Sequence, residues 1–212
     1  MISRFNRHNS VVFRATKDQW GGLSNMAAGY PLLINGNLFR TSEALYQAFR
    51  YADDKSEEGV LVQELIRREK SPMAAKMVSK KFYSLSRDDW DFTRVKIMDW
   101  CLRAKLHAHW EKFGSLLIET GSLPIVEESH KDRFWGAVAV RGVSDELEGE
   151  NKLGALLVRL RVHVAEGRRP NIAELPVSGM TIFGEPPTSI EPAPEDPGPE
   201  AEPEQGSLFQ DI

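Results

Sequence analysis

A mostly helical α+β fold is what the sequence predicts, on three observations: two short apolar runs joined by a turn signal near the N-terminus, longer segments with apolar residues at helical spacing after it, and no internal repeat. Val11-Val12-Phe13-Arg14-Ala15 reads as a strand. Leu32-Leu33-Ile34 and Leu38-Phe39 flank Asn35-Gly36-Asn37, and the Asn-Gly pair suits a type I′ hairpin turn. Thr41 caps a helix running to about Arg50, with Glu43 in its first turn where the helix dipole favours an anion. Ser71-Pro72 starts a short helix as cap and first-turn proline. The longest helix is expected from Asp88 to Lys112, along which Ile97, Met98, Cys101, Leu102 and Leu106 recur. A last helix opens at Asn151 with Leu153, Leu156, Leu157, Leu160 and Val164 on one stripe.

The 212 residues, 41% hydrophobic and 27% charged, are enough for one domain with a real core plus a tail. No apolar run approaches the roughly 20 residues that span a bilayer, and Met1 to Arg7 leads into no secretory segment, so no membrane partner is expected and the cytoplasm is the default location. Cys101 is the single cysteine, which excludes an intramolecular disulfide, a thiolate zinc cluster and a CxxC redox pair.

The net charge of -4 conceals a division, because residues 170–212 hold nine acids and no lysine or arginine, leaving 27 bases against 22 acids in residues 1–169. A mildly basic body suits a phosphate-bearing ligand. The same 170–212 segment holds nine of the twelve prolines and is expected to be a mostly disordered acidic tail. Its apolar islands, Met180-Thr181-Ile182-Phe183 and Leu208-Phe209, read as docking segments for a partner, or for the first island as a strand-like flap lying back on the domain.

Phosphate-loop, dinucleotide-fold, zinc-protease and serine-hydrolase motifs are all missing. His107 and His109, two apart on a helix, point about 200° from one another and make poor joint metal ligands; no cofactor is expected. What remains is polar and aromatic. Glu43 and Gln47 share a helix face, which makes Glu43 either an amide-fixed acid/base or a solvated first-turn glutamate. Lys105 lies on the apolar stripe of the long helix, where it either snorkels or acts as a dehydrated amine nucleophile. The run from Glu127 to Gly136 ends Asp132-Arg133-Phe134-Trp135-Gly136, an aromatic platform with Asp132 beside it, and Trp90 and Trp20 are available as a second wall.

Read in order, Gly22-Leu23-Ser24-Asn25, Thr41-Ser42-Glu43 through Tyr46-Gln47-Ala48, Ser71-Pro72-Met73-Ala74-Ala75-Lys76, Asp89-Trp90, Arg103-Ala104-Lys105, Ile125-Val126-Glu127, Asp132-Arg133-Phe134-Trp135-Gly136 and Asn151-Lys152-Leu153-Gly154 resemble the NADAR (YbiA-like) family over about residues 10–165. Gly22 to Met26, Ser42 to Gln47 and Pro124 to Ser129 look like the antitoxin branch that accompanies DarT-type DNA ADP-ribosyltransferases. In the riboflavin-linked branch a histidine usually follows the glutamate and an acid follows Trp-Gly; here Ala44 and Ala137 stand there.

The resemblance implies a NADAR domain at 1–169 that removes ADP-ribose from guanine in DNA by N-glycosidic hydrolysis, with ADP-ribosylated DNA and ADP-ribose as ligands and a DarT-type toxin as a partner. It implies Glu43 or Asp132 as acid/base, and Lys105 as the amine forming a Schiff base with ring-opened ribose. Trp90 and Trp135 would hold a base, Asn25, Arg40, Gln47 and Asn151 would hold ribose hydroxyls or diphosphate, and Gly136 would also contact the substrate. Two alternatives stand: an N-glycosidase on riboflavin-pathway ribosyl phosphates, and a non-catalytic toxin-binding inhibitor, which truncation after residue 169 would separate from an enzyme.

Overall fold

The computed structural model describes residues 2–52 and 57–194. Its strands are β1 (Ser3–Asn6), β2 (Val11–Phe13), β3 (Leu32–Ile34), β4 (Asn37–Phe39), β5 (Ile125–Glu127), β6 (Val138–Ala139), β7 (Glu146–Gly149) and β8 (Ile190–Pro192). The helices are α1 (Ser42–Phe49), α2 (Glu57–Arg68), α3 (Pro72–Lys81), α4 (Trp90–Ala108), α5 (Trp110–Glu119) and α6 (Lys152–Ala165). None of the described helices is long and apolar enough to cross a membrane.

The architecture is the expected α+β. α4 runs through its centre, and Trp100, Cys101 and Leu102, three successive residues pointing to different sides, are all fully buried, as a helix enclosed by neighbours requires. α1, α5 and α6 pack around it together with β3 and β8. The β3–β4 hairpin forms as predicted: Asn35 at φ 49 and Gly36 at φ 76 supply the left-handed pair that a type I′ turn needs. Thr41 and Ser71 cap α1 and α3, their hydroxyls accepting from Ala44 N and Ala74 N.

Three features depart from the sequence reading. The long helix is two, because at His109 (φ −119, ψ 46) the backbone leaves the helical region; the imidazole is held 2.8 Å from Pro31 O and edge-on to Tyr30, and α5 starts anew at Trp110. The strands are not all antiparallel: β2 pairs in parallel with β5, Val11 opposite Ile125 and Phe13 opposite Glu127.

The third departure is that residues 170–194, expected to belong to a mostly disordered tail, are placed against the domain. Residues 170–194 cross the domain as a strap, and of the two expectations for the Met180–Phe183 island, the flap is the one observed. Met180 and Ile182 are buried, and β8 extends the hairpin sheet by pairing antiparallel with β3. Gln63 donates to Thr181 O and accepts from Phe183 N, Arg87 donates to Ser178 O, and the Asn35 turn accepts from the amides of Thr188 and Ser189. Buried apolar islands and an open strand edge together hold a segment whose average composition is that of a solvated chain. The Leu208-Phe209 island lies outside the described residues.

Candidate active site

A cavity of about 720 Å³, within the range of small-molecule sites, opens between α1, α3, the N-terminal half of α4, and the loops that follow Ser24 and β5. Helical spacing builds its walls. Glu43, Tyr46, Gln47 and Arg50 come from one face of α1, Met73 and Lys76 from one face of α3, and Trp90, Arg94 and Met98 from one face of α4. All eight residues of α1 are buried, so its polar face is turned to the cavity rather than to solvent.

Glu43 is 3% exposed and fixed on both carboxylate oxygens. Gln47 Nε2 donates to Oε1 at 2.8 Å, and Asn25 Nδ2 donates to Oε2 at 2.5 Å. The loop is tied from the other side as well, since Glu43 N donates to Asn25 O at 2.9 Å. Gln47 is itself oriented by Ser79 Oγ, which donates to its Oε1 at 2.6 Å. Burial raises the Glu43 pKa above its ordinary value, opposed by the Lys76 charge, the two amide donors and Arg50.

Across the cavity, Glu127 ends β5. Burial, then the charges of Asp132 and Glu43, push its pKa up to about 7, with Lys76 acting against them. The strand end is held by Asn151, whose Oδ1 accepts from Glu127 N and whose Nδ2 donates to Ile125 O. Asp132 also lines the cavity, but its Oδ1 accepts from the amides of Phe134 and Trp135, so the carboxylate shapes the aromatic loop. Among the described residues no group of three or more His, Cys, Asp or Glu side chains is arranged to hold a metal.

Of the residues expected from sequence, the cavity gathers Glu43, Asp132, Asn25, Gln47, Trp90 and Trp135. Four others lie outside its lining. Lys105 is fully buried and turned away: its Nζ donates to Gly22 O at 2.6 Å and Ser24 O at 3.1 Å, with the Tyr30 and Phe113 rings each 4.1 Å off. It neither snorkels nor reaches the cavity, which removes it as the sugar-bound amine. Burial pulls its pKa well below the ordinary lysine value.

Gly136 and Asn151 have structural explanations in place of substrate contacts. A Cβ on Gly136 would lie 2.4 Å from Glu127 O, and the Asn151 amide is spent on β5. Arg40 stands between β4 and α1 and is not among the lining residues.

Sequence reasoning did not single out Glu127, Lys76, Arg50 or Arg94 as site residues. Helical spacing contains the signal for two of them, since Arg50 follows Gln47 by three and Glu43 by seven, and Arg94 follows Trp90 by four. Lys76 follows Met73 by three on α3. Glu127 has no local signal, because its burial depends on the distant β2 strand.

A sequence profile of the NADAR domain matches residues 12–165. "N-glycosidase YbiA" of Escherichia coli (strain K12) is 33% identical over 155 residues, covering 73% of this chain and 88% of that protein. "Riboflavin biosynthesis protein PYRR, chloroplastic" of Zea mays is 33% identical over 176 residues, covering 79% of this chain and 27% of that protein. The NMR structure of the E. coli protein YbiA superposes with a TM-score of 0.58 at 31% identity, covering 75% of this chain and 88% of that one. The cavity lining lies entirely within the matched span and the strap wholly beyond it, and on the profile and these relatives together the chain belongs to the NADAR domain family.

Proposed function

We propose that this chain is an N-glycosidase that breaks the bond between the anomeric carbon of a ribose and the amine of a base, with ADP-ribosylated guanine in DNA as its substrate, and thus an antitoxin to a DarT-type transferase. The observation that carries the reaction class is the pairing of Glu43 and Glu127 on one cavity, the first fixed as an acceptor on both oxygens and the second with a pKa of about 7. Glu43 supplies a preoriented negative charge where positive charge develops at the anomeric carbon. Glu127 exists in both protonation states near neutrality. Protonated, it gives its proton to the departing amine; ionised, it takes one from the attacking water. One water is consumed, the C–N bond breaks, and the base leaves as its free amine. The name of the YbiA relative supports this class.

Lys76 takes the place first expected of Lys105, being the lysine that lines the cavity. In the ring-opened form, an N-riboside of an exocyclic amine is an imine. Addition of the Lys76 amine to that carbon expels the base amine with a proton, and water then hydrolyses the lysine imine to the aldehyde. Borohydride decides between this route and direct attack by water: a reduced adduct on Lys76, absent from Lys76→Arg, marks the imine route.

Mass spectrometry of an ADP-ribosylated guanine oligonucleotide tests the reaction class, the expected result being restored oligonucleotide with wild type and none with Glu43→Ala. No restoration by wild type would overturn the substrate. A second reading, hydrolysis of riboflavin-pathway ribosyl phosphates, is favoured by the name of the Zea mays relative. Release of base from a pyrimidine ribosyl phosphate, faster than from the oligonucleotide, would select it.

A further inference from the structure

The strap lies outside the span matched by the family profile and gives no side chain to the cavity lining, yet its hydrogen bonds converge on the back of one cavity wall. That wall comes from three separate parts of the chain: Arg50 at the end of α1, Tyr83 in the turn between α3 and α4, and Trp90 at the start of α4. The Arg50 guanidinium carbon lies 3.9 Å from the centre of the Tyr83 ring and 4.6 Å from that of Trp90. Contact between a cation and rings orients the side chains, but it does not fix where the three backbones stand.

The backbones are fixed from behind. Carbonyls at a helix C-terminus lack a partner four residues on and are met by other groups. At and just after the end of α1, three carbonyls accept from the strap or from a residue bonded to it. Ala52 O accepts from Thr181 Oγ1 at 2.9 Å. Arg50 O accepts from Arg87 N at 2.9 Å, and Arg87 Nη2 in turn donates to Ser178 O at 2.9 Å. Ala48 O accepts from Gln63 Nε2 at 3.2 Å, the amide that Thr181 O and Phe183 N also hold.

Arg87 is the junction. Its side chain is 1% exposed, and besides Ser178 O it engages both carboxylate oxygens of Asp89, the residue before α4. Its own carbonyl accepts from Trp90 N at 3.1 Å. One residue therefore joins the strap, the end of α1 and the start of α4. The two acids are held separately: Glu43 by Asn25 and Gln47, Gln47 by Ser79, and the amide of Glu127 by Asn151.

We propose that the strap is a positioning element of the active site. Acting through Arg87 and Thr181 as positioning residues, it holds the wall of Arg50, Tyr83 and Trp90, so that its docking sets how tightly substrate is bound and leaves the chemical step unchanged. The substrate assay rests on the N-glycosidase reading, whereas the order of the wall is measured without substrate.

The test uses the full chain as wild type, Arg87→Met, Arg87→Lys and Thr181→Val. KM and kcat are measured for base release from the ADP-ribosylated oligonucleotide or the pyrimidine ribosyl phosphate, whichever wild type hydrolyses. Amide hydrogen exchange at Arg87 and Trp90 reports on the wall, and that of Leu45, bonded to Thr41 O within α1, serves as the internal reference. Arg87→Met keeps the stem and loses the donors, and should raise KM at least about tenfold; Thr181→Val should raise it about 3- to 10-fold, with kcat within about twofold of wild type in both. Arg87→Lys keeps the charge but cannot span Asp89 and Ser178 O together, and should fall between wild type and Arg87→Met. Exchange at Arg87 and Trp90 should quicken at least about tenfold more than at Leu45. A role in stability alone would reduce the active fraction, so kcat would fall with KM unchanged; that result, no change in either, or equal quickening at all three amides would overturn the proposal. Where Arg87→Met fails to fold, Arg87→Lys and Thr181→Val carry the same test. If wild type releases no base from either substrate, the N-glycosidase reading fails by itself and the exchange rates decide the role of the strap.

Discussion

Replacing Glu127 by glutamine should cost activity and gain stability, the gain being absent at pH 4.5 and complete by about pH 7. In the unfolded chain this carboxyl titrates near 4.5, and in the folded protein at about 7. Below pH 4.5 it is protonated in both states and folding carries no penalty. Between pH 4.5 and 7 the unfolded chain releases the proton while the folded protein retains it, so stability falls as pH rises through this window. Above pH 7 the folded protein bears the whole cost of a buried charge beside Asp132 and Glu43. Moving the titration from 4.5 to about 7 corresponds to about 3 kcal/mol, at about 1.4 kcal/mol for each tenfold change in the ionisation equilibrium.

Glutamine never ionises and is spared that cost. Glu127→Gln should therefore melt at nearly the wild-type temperature at pH 4.5 and, for a chain of this size, about 6–12 °C higher at pH 8. Its base-release rate should fall about 10²- to 10⁴-fold, the range expected when an acid/base group is removed. Thermal melts of both proteins at the two pH values provide the check. A melting shift of the same size at both pH values, or a lower melting point at pH 8, would refute the assignment of a near-neutral pKa to this carboxyl.

Glu43→Gln leaves one acceptor oxygen for two amide donors, so either Asn25 or Gln47 loses its partner, and kcat should fall about 10²-fold or more with a smaller change in KM. Lys105→Met strips the partner from the Gly22 and Ser24 carbonyls at about 1–3 kcal/mol each; it should lower the melting temperature and slow turnover by loosening the loop that presents Asn25, while borohydride trapping, read by mass spectrometry, still occurs on Lys76. Truncation after residue 169 uncovers Met180 and Ile182 contacts worth about 1.5–3 kcal/mol per side chain and should lower the melting temperature by more than about 10 °C, whereas truncation after residue 194 keeps every described contact and should leave it within about 2 °C. The later cut is therefore the one that tests the acidic C-terminal residues for a role in toxin binding.

What the sequence disclosed depended on how local the cause was. The Asn35-Gly36 turn, the Thr41 and Ser71 caps and the α1 face carrying Glu43 and Gln47 are set by residues within a few positions of one another, and the structure contains them. Lys105 shows the limit of periodicity: a helical stripe tells that a side chain points inward, but not which neighbours await it, and here they are two carbonyls and two rings instead of the cavity. Glu127 was hidden for a different reason, its burial arising from a strand pair between distant parts of the chain. Gly136 and Asn151 belong to the family pattern because they hold that strand, so pattern alone could not separate holding the site from touching the substrate. The strap was masked by proline and glutamate counts that averaged over Met180, Ile182 and Ile190.

The parallel union of β2 with β5 also governs when chemistry becomes available. Phe13 O accepts from the amide of Glu128, and Asn151 bolts the other edge, so Glu127 has no fixed position until β2, β5 and the residue that opens α6 are all in place. A ribosome-bound chain lacking residues beyond about 150 would carry Glu43 on its Thr41-capped helix, and Glu127 without its Asn151 anchor. On the proposed roles of Glu43 and Glu127, catalytic competence is thus acquired late in biosynthesis, when residues 11–13 meet residues 125–127, and two separately expressed halves divided in the α5–β5 connection should be silent alone and active on mixing.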